Sequence, residues 1–231
     1  MSINVLLCTW VKLIKKCDYN LGNSLLKESK QERDLGVLIN CNGKQFEQCS
    51  AAVKKANAVL GMIKRNVVFK SKDNIVRLYK ALVRPKLEYC IQVWSPYLRK
   101  DIDMIERVQR RATKMIEGLS KLGYDERLRK TGLISLEKRR VRGDLIQVFR
   151  MIKGFDRINY RDYFEFALES RTRGHSFKLL KKRSNGEFRK HFFTQRVVNC
   201  WNSLPQSVVD ADSINSFKNR LDKFDGYWRH E

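Results

Sequence analysis

The strongest constraint on the fold is a long run of helical hydrophobic periodicity between residues 75 and 116. Its first part places apolar side chains at offsets of 0, 3, 4, 7 and 8 residues: Ile75, Leu78, Tyr79, Leu82 and Val83. Because these offsets return to one side of an α-helix, they predict a helix with a buried stripe. Pro85 is expected to end or kink that helix, since proline lacks a backbone N–H.

The second part predicts a helix from about Lys100 to Glu117 with two opposite faces. One side carries apolar residues: Ile102, Ile105, Ala112 and Ile116. At about 100° per residue, four cations fall on the other side. They are Arg107, Arg110, Arg111 and Lys114. An apolar back anchors such a helix while its cations stay available to phosphates, so this face is a candidate nucleic-acid-binding site.

Charge composition favours the same class of partner. The 231 residues contain 48 Lys and Arg against 25 Asp and Glu, a formal net charge of +23 at pH 7. A hydrophobic content of 42% is enough for a core, which argues against global disorder. Nucleic acid is therefore the expected partner. An anionic membrane ranks second, and no run of 18 apolar residues predicts a membrane span, so we expect no membrane partner.

The first residues are apolar and then basic, the reverse order of a secretory signal.

The sequence shows no catalytic or metal-binding motif. None of the six cysteines forms a Cys-x-x-Cys pair, so zinc is not indicated, and reduced thiols suit a nuclear or cytoplasmic protein. A Gly-x-x-x-x-Gly-Lys phosphate loop and a His-Glu-x-x-His motif are both missing. Adjacent aspartates, which hold two metal ions in nucleotidyl transferases, do not occur. We predict no catalytic residue, no metal site and no cofactor in this chain.

The remaining patterns predict a mainly α protein with a short antiparallel β-hairpin at the N-terminus. Turn signals and strand-like runs mark residues 1–44, most clearly ERDLGVLIN at 32–40. From Gln45 the periodicity is helical, and Ser71, Ser135 and either Asp212 or Ser213 are expected helix N-caps. A buried helix is expected to end before Pro205. The early apolar stripe consists of Phe46, Cys49, Val53, Ala56, Leu60 and Ile63.

A second basic region lies between Arg171 and Arg196, where nine Lys and Arg accompany a single acid, Glu187. Its candidate nucleic-acid contacts are Arg171, Arg173, His175, Lys181, Lys182 and Arg183. His175 can be interpreted in two ways, as a phosphate contact or as an ordinary loop histidine.

An ordered series of blocks resembles a known family. The blocks are AVKKANAVLG, LYKALVRPKLEYCIQVWSP, IERVQRRATKMI, YDERLRKTGLISLEKRRVRGDLI, TRGHSFKLL, FFTQRVVNCWNSLP and FKNRLDKF. The series, from about residue 19 to residue 224, is similar to the carboxy-terminal third of reverse transcriptases from jockey-like non-LTR (LINE-type) retrotransposons. The resemblance implies that residues 1–44 are a palm remnant with a primer-grip-like hairpin. It also implies a thumb-like helical domain at 45–120 and a basic, mostly helical C-terminal region at 121–231.

This resemblance implies a truncated RNA-directed DNA polymerase fragment that binds template–primer nucleic acid, RNA and/or DNA, through its thumb and C-terminal region. Leu35, Gly36 and Val37 would approach the primer end. The fingers, most of the palm and the metal-binding aspartates are missing, so we expect no primer extension by this chain alone. Mg²⁺ is expected only for the intact parent polymerase.

Other interpretations remain open from the sequence. The chain can be a domesticated RNA- or DNA-binding module, an interaction protein that supplies a thumb to a separate palm and fingers chain, or a relic without a selected function. Because a thumb normally packs on a palm, the first helices are also expected to expose apolar area and to favour self-association. The residues concerned are Val59, Met62, Val67, Val68 and Phe69.

Overall fold

The computed structural model describes residues 20–25, 29–41, 43–167 and 174–224, and these residues are mainly helical. They fall into two compact units. The first unit is the described part of Met1–Cys90 together with Pro96–Glu117, and the second is Ile91–Ser95 with the described part of Gly118–Glu231. The predicted division at residues 44 and 120 rests on the family resemblance and stays a prediction.

The first unit opens with two antiparallel hairpins, which confirms the predicted hairpin and adds a smaller one before it. Strands β1 (Asn20–Leu21) and β2 (Ser24–Leu25) form the smaller hairpin. Strands β3 (Gln31–Asp34) and β4 (Val37–Asn40) form the larger one, in which Asp34 pairs with Val37 across a two-residue turn. Both turn residues have positive φ, the backbone that a tight right-twisted hairpin requires.

The first unit continues with helices α1 (Phe46–Asn66), α2 (Lys72–Leu78), α3 (Arg84–Glu88) and α4 (Arg99–Lys114). Ser71 caps α2 as predicted, because its hydroxyl accepts a hydrogen bond from the Asn74 backbone N–H at 3.4 Å. Cys49, Val83, Leu87 and Ile105 are fully buried in this unit.

Pro85 does not end its helix, and the chain stays helical to Glu88. A π-helical turn, Tyr79–Val83, joins α2 to α3 immediately before the proline. A π-turn is one of the known ways in which a helix absorbs a local disruption. The helix terminates only where Cys90 adopts a left-handed backbone with φ of 55°.

The second unit contains helices α5 to α10, of which α6, α8, α9 and α10 contribute to one core cluster. The helices are α5 (Tyr124–Thr131), α6 (Leu136–Ile152), α7 (Glu187–Lys190), α8 (Phe193–Asn202), α9 (Gln206–Val209) and α10 (Ile214–Lys223), with a 3₁₀ turn at Tyr160–Asp162. Ser135 and Ser213 cap α6 and α10 through bonds from Lys138 and Ser216, as predicted. Phe149 stacks on Phe217 with ring centroids 4.2 Å apart. Trp201, which is fully buried, lies beside them.

Arg196 links residues Ile91–Ser95 to α6 and α8 of the second unit. Arg196 on α8 makes a two-pronged ion pair with Asp144 on α6, with Nε–Oδ2 and Nη2–Oδ1 distances of 2.8 and 3.0 Å. The same guanidinium donates to the carbonyls of Ile91 and Gln92 at 3.0 and 3.3 Å, and to that of His191. Burial raises the pKa of Asp144, and the Arg196 guanidinium opposes that rise. We call this cluster the Arg196 clasp.

Of the helices in the described ranges, none is long and apolar enough to cross a membrane.

Candidate nucleic-acid interface

Helix α4 presents its four predicted cations to solvent. Arg107, Arg110, Arg111 and Lys114 are all exposed. The opposite side is buried, with Ile105 and Val108 at 0% exposure and Ala112 and Ile116 at 2%. Between Arg107 and Lys114 the sequence has no acidic residue, so no carboxylate on this segment neutralises the four charges. We call these four residues the cationic face.

A buried hydrogen-bond chain fixes the rotation of α4. The Tyr79 hydroxyl donates to Gln109 Oε1 at 2.8 Å, and Gln109 Nε2 donates to Glu106 Oε1 at 3.4 Å. All three side chains are buried. A one-residue roll of α4 would bury a cation and leave these groups without their partners, which costs about 1–3 kcal/mol for each orphaned group. The polar contacts therefore hold the cationic face toward solvent.

Helices α1 and α4 lie side by side and run in the same direction. Lys100 Nζ lies 5.6 Å from the centre of the Phe46 ring at the start of both helices. Eleven residues further along each helix, Arg111 Nη1 donates to Asn57 Oδ1 at 3.1 Å. The two pairs share a separation of 54 residues, and this constant register makes the helices parallel.

The parallel register brings further cations beside the cationic face. On α1, Lys54, Lys64 and Arg65 are exposed. At about 100° per residue, Lys54 and Arg65 lie opposite the buried stripe, whereas Lys64 lies on the same side as Asn57. None of these three residues was predicted from the sequence, although the eleven-residue spacing of Lys54 and Arg65 places those two on one side of α1. A Cβ at Gly61 would lie 3.6 Å from Arg65 Nη1, so the Arg65 side chain runs back over this glycine.

The amino-terminal end of the same helix pair carries carboxyl groups beside the exposed Lys44, Arg99 and Lys100. Asp101 is 2% exposed, and its Oδ1 atom has no hydrogen-bond partner among the described residues. Burial raises the pKa of Asp101, the neighbouring Lys100 lowers it, and the Glu47 carboxylate raises it further. The surface formed by α1 and α4 therefore has Asp101 and Glu47 at its amino-terminal end and the cationic face toward its carboxyl-terminal end.

The β3–β4 turn contains the three residues predicted to form a primer-grip-like tip. Leu35 is 83% exposed in a left-handed conformation with φ of 44°, and Gly36 follows with φ of 85°. Val37 differs, because its side chain is buried in the first unit. The Tyr89 hydroxyl donates to the Leu35 carbonyl at 2.8 Å, which braces the tip from α3's end. The structure thus presents Leu35 and the Gly36 backbone to solvent.

The second basic region is split by the structure. Lys181, Lys182 and Arg183 are exposed, and Lys182 Nζ pairs with Glu165 Oε1 at 2.6 Å. Arg171 and Arg173 lie outside the described residues.

His175 is buried in the second unit, with both ring nitrogens engaged. Its Nε2 donates to the Trp201 carbonyl at 2.9 Å, and its Nδ1 accepts from the Phe177 backbone N–H at 3.2 Å. Burial lowers the pKa of His175, so the neutral ring is favoured. This environment supports the loop-histidine interpretation, in which the ring anchors residues 175–180 on α8, and we assign it no phosphate contact.

The same docking brings two of the sequence blocks, TRGHSFKLL and FFTQRVVNCWNSLP, into contact. The Asn202 side chain exchanges two hydrogen bonds with the backbone of Leu179, at 2.8 and 2.9 Å. Trp201 Nε1 donates to the Phe177 carbonyl at 2.8 Å. The polar atoms of the Trp-Asn pair on α8 therefore hold the preceding loop in a fixed path.

In the part of the chain that the structure describes, no group of three or more His, Cys, Asp or Glu side chains is placed to hold a metal ion. No protein-family model, curated protein or solved structure matches this chain.

Proposed function

We propose that this chain binds the sugar–phosphate backbone of a nucleic-acid duplex through the surface formed by α1 and α4. The cationic face is the observation that carries the proposal. Its four cations are exposed on a segment that contains no acidic residue, and the opposite side of the helix is buried, which fixes their orientation. Phosphate contacts of this kind supply most of the sequence-independent affinity of proteins for nucleic acids.

The dimensions of the face suit a duplex. From Arg107 to Lys114 the helix rises by roughly 10 Å, at about 1.5 Å per residue. A B-form duplex carries one negative charge for about every 1.7 Å of its axis, so roughly six phosphates lie along that length. Four cations on α4, with Lys54, Lys64 and Arg65 beside them, can engage several of those phosphates at once. Side chains aimed at the backbone position a protein without reading bases, so little sequence specificity is expected.

Within this proposal the chain acts as the thumb-like and C-terminal part of a jockey-like non-LTR reverse transcriptase. The support is the series of sequence blocks together with the exposed Leu35–Gly36 tip and the cationic face, both in the first unit. The chain is then a template–primer grip whose catalytic centre and Mg²⁺ belong to the intact parent polymerase. RNA and/or DNA are its partners, in the nucleus or the cytoplasm.

A matched pair of variants tests the proposal. Arg107 and Lys114 are exposed and form no hydrogen bond or ion pair among the described residues, so Arg107→Glu combined with Lys114→Glu alters charge with little effect on packing. The control, Arg129→Glu with Arg157→Glu, lowers the net charge by the same four units at exposed positions of the second unit.

Fluorescence anisotropy with a template–primer duplex at fixed salt provides the measurement. We expect the Arg107 and Lys114 variant to bind about tenfold more weakly or worse than the parent, because two phosphate contacts are replaced by repulsion. The control should lose much less affinity. Equal losses of affinity in both variants would show that binding depends on net charge alone and would overturn the proposed surface.

A further inference from the structure

An exposed apolar pocket lies where α1 passes into α2. Its volume is about 450 Å³, and it is lined by Asn66, Val67, Val68, Phe69, Asn74, Arg77 and Leu78. Phe69 is 75% exposed and Val68 is 77% exposed, whereas connectors between helices usually carry polar side chains. These two side chains therefore expose a large apolar area to water and are not part of the core of the first unit.

The backbone on both sides of Phe69 is held in place. Asn74 Nδ2 donates to the Phe69 carbonyl at 3.2 Å, and the Glu117 backbone N–H donates to the Lys70 carbonyl at 3.1 Å. The Val67 N–H donates to the Ile63 carbonyl at 3.0 Å. The phenyl ring is therefore presented to solvent from a fixed frame rather than from a loose loop.

The surroundings of the pocket are cationic. Lys64, Arg65, Lys72 and Arg77 are exposed nearby, Lys70 is half-buried, and the acids on the same segments are Asp73 and Glu117. This excess of positive charge opposes a second copy of the same chain, which carries the same charge. It favours an anionic occupant.

The pocket also lies at one end of the proposed duplex surface. The Glu117 backbone N–H donates a hydrogen bond to the carbonyl of Lys70, which follows Phe69 in the chain, and Glu117 lies three residues beyond Lys114. The pocket therefore adjoins the carboxyl-terminal ends of the parallel helices α1 and α4. A strand that leaves a duplex bound along the cationic face would reach Phe69 next.

We infer that this pocket holds an unpaired nucleobase of a single strand that emerges from the bound duplex. The Phe69 ring offers a stacking platform, which suits every base because each has a flat π-face. The Asn66 and Asn74 amides can meet base edges, and the Arg77 guanidinium can meet the adjoining phosphate. The inference rests on the proposed binding of nucleic acid and adds a single-strand subsite to it.

An acidic amphipathic protein segment is the competing occupant. Such a segment would match the charge around the pocket, but its binding would not require one exposed ring with two amides and a guanidinium beside it. A nucleotide can use the ring for stacking, the amides for base edges and the guanidinium for phosphate, so the lining favours the nucleobase.

Three ligands separate the contribution of phosphates from the contribution of unpaired bases. A blunt duplex carries phosphates only, the same duplex with a short single-stranded tail adds bases, and a tail of abasic nucleotides adds phosphates without bases. The test variant is Phe69→Ala, its rescue is Phe69→Trp, and the control is Tyr163→Ala, an aromatic residue of the second unit that is 49% exposed.

We expect Phe69→Ala to weaken binding of the tailed duplex by about fivefold to a hundredfold, the range of alanine substitution at a stacked base. Affinity for the blunt and abasic ligands should stay unchanged, Phe69→Trp should restore the loss, and Tyr163→Ala should bind as the parent does. If Phe69→Ala binds all three ligands as the parent does, the inference is wrong and the pocket is left to a protein segment.

With the free tail strand as a fourth ligand, the two proposals can fail separately. A parent that ignores the blunt duplex but binds a free single strand in a Phe69-dependent way would refute the duplex surface and keep the stacking site. A parent that binds the blunt duplex and gains nothing from a tail would keep the duplex surface and refute the stacking site. Absence of all binding would refute both.

Discussion

Leu35 is the residue at which local strain is most visible. A left-handed backbone disfavours residues with a Cβ by about 1–2 kcal/mol, and tight hairpin turns normally place Asn or Asp before glycine. Here a leucine occupies that position, with its side chain 83% exposed and φ of 44°. Strain of this kind is typical of functional sites, where a side chain is kept for its contacts rather than for stability.

Replacing Leu35 with asparagine should stabilise the first unit. Asparagine tolerates the left-handed backbone, and the exposed leucine side chain contributes little burial, so we expect Leu35→Asn to add about 0.5–1 kcal/mol to the free energy of unfolding. Leu35→Val should have the opposite effect, since a β-branched residue fits that backbone poorly. Urea denaturation of the two variants checks this order, and an equal stability for both would show that the turn is not strained.

Asp101 shows how a single buried carboxyl can make stability depend on pH. Burial and Glu47 hold its pKa above the ordinary aspartate value of 3.8, while Lys100 opposes the rise. Between the ordinary and the raised pKa, the folded state binds more protons than the unfolded state. The contribution of Asp101 to stability is therefore present below the ordinary pKa and is lost as pH rises through the raised one.

The variant Asp101→Asn should lack this dependence. Relative to the parent, its free energy of unfolding should increase between about pH 3 and about pH 7, because the amide never becomes charged. Denaturant melts of both proteins at the two pH values give the comparison. A difference between the proteins that does not change with pH would mean that Asp101 titrates normally in the fold.

At the scale of elements, the Arg196 clasp links α8, α6 and residues 91–95. Substitution of Arg196 by methionine would remove the two-pronged partner of the buried Asp144, which costs about 3–5 kcal/mol. Adding Asp144→Asn should recover part of that loss, since the amide has no charge to desolvate. The matched control is Arg142→Met, which breaks a similar two-pronged pair with the exposed Asp222 and should cost about 1 kcal/mol or less.

Thermal or urea denaturation ranks these variants. An Arg196→Met protein as stable as the Arg142→Met control would show that the clasp contributes nothing beyond a surface ion pair.

Local patterns account for much of the element structure. Ser71, Ser135 and Ser213 were predictable as caps because a hydroxyl before a periodic segment has a definite partner three residues later. The strand-like run at 32–40 was predictable from local signals, whereas the hairpin within it was implied by the family resemblance. Of the two outcomes predicted at Pro85, an end of the helix did not occur, because a π-turn at Tyr79–Val83 precedes the proline and the chain stays helical to Glu88.

The candidate site was only half predictable from local patterns. Periodicity placed Arg107, Arg110, Arg111 and Lys114 on one side of α4, where the structure finds them exposed. The neighbouring α1 cations depend on a register of 54 residues between two helices, which no local pattern encodes. His175 was ambiguous in the sequence because its partners, Trp201 and Phe177, were not identifiable as such before folding.

At the scale of the whole molecule, a net charge of +23 draws any nucleic acid toward the protein. General attraction and a defined site predict different things, however. Diffuse charge makes every cation on the surface equivalent, whereas a defined site makes a few of them dominate the release of counterions. Salt dependence measures this distinction directly, because each phosphate contact contributes about 0.9 to the slope of log affinity against log salt for B-form DNA.

The most direct test of the account is therefore a salt titration of duplex binding by the parent, by Arg107→Glu with Lys114→Glu, and by Arg129→Glu with Arg157→Glu. The account predicts that losing two contacts flattens the slope of the first variant by about two units, while circular dichroism shows unchanged helicity. The slope of the control should match that of the parent. An unchanged slope for the Arg107 and Lys114 variant would contradict the account, because it would make the cationic face an ordinary solvated surface.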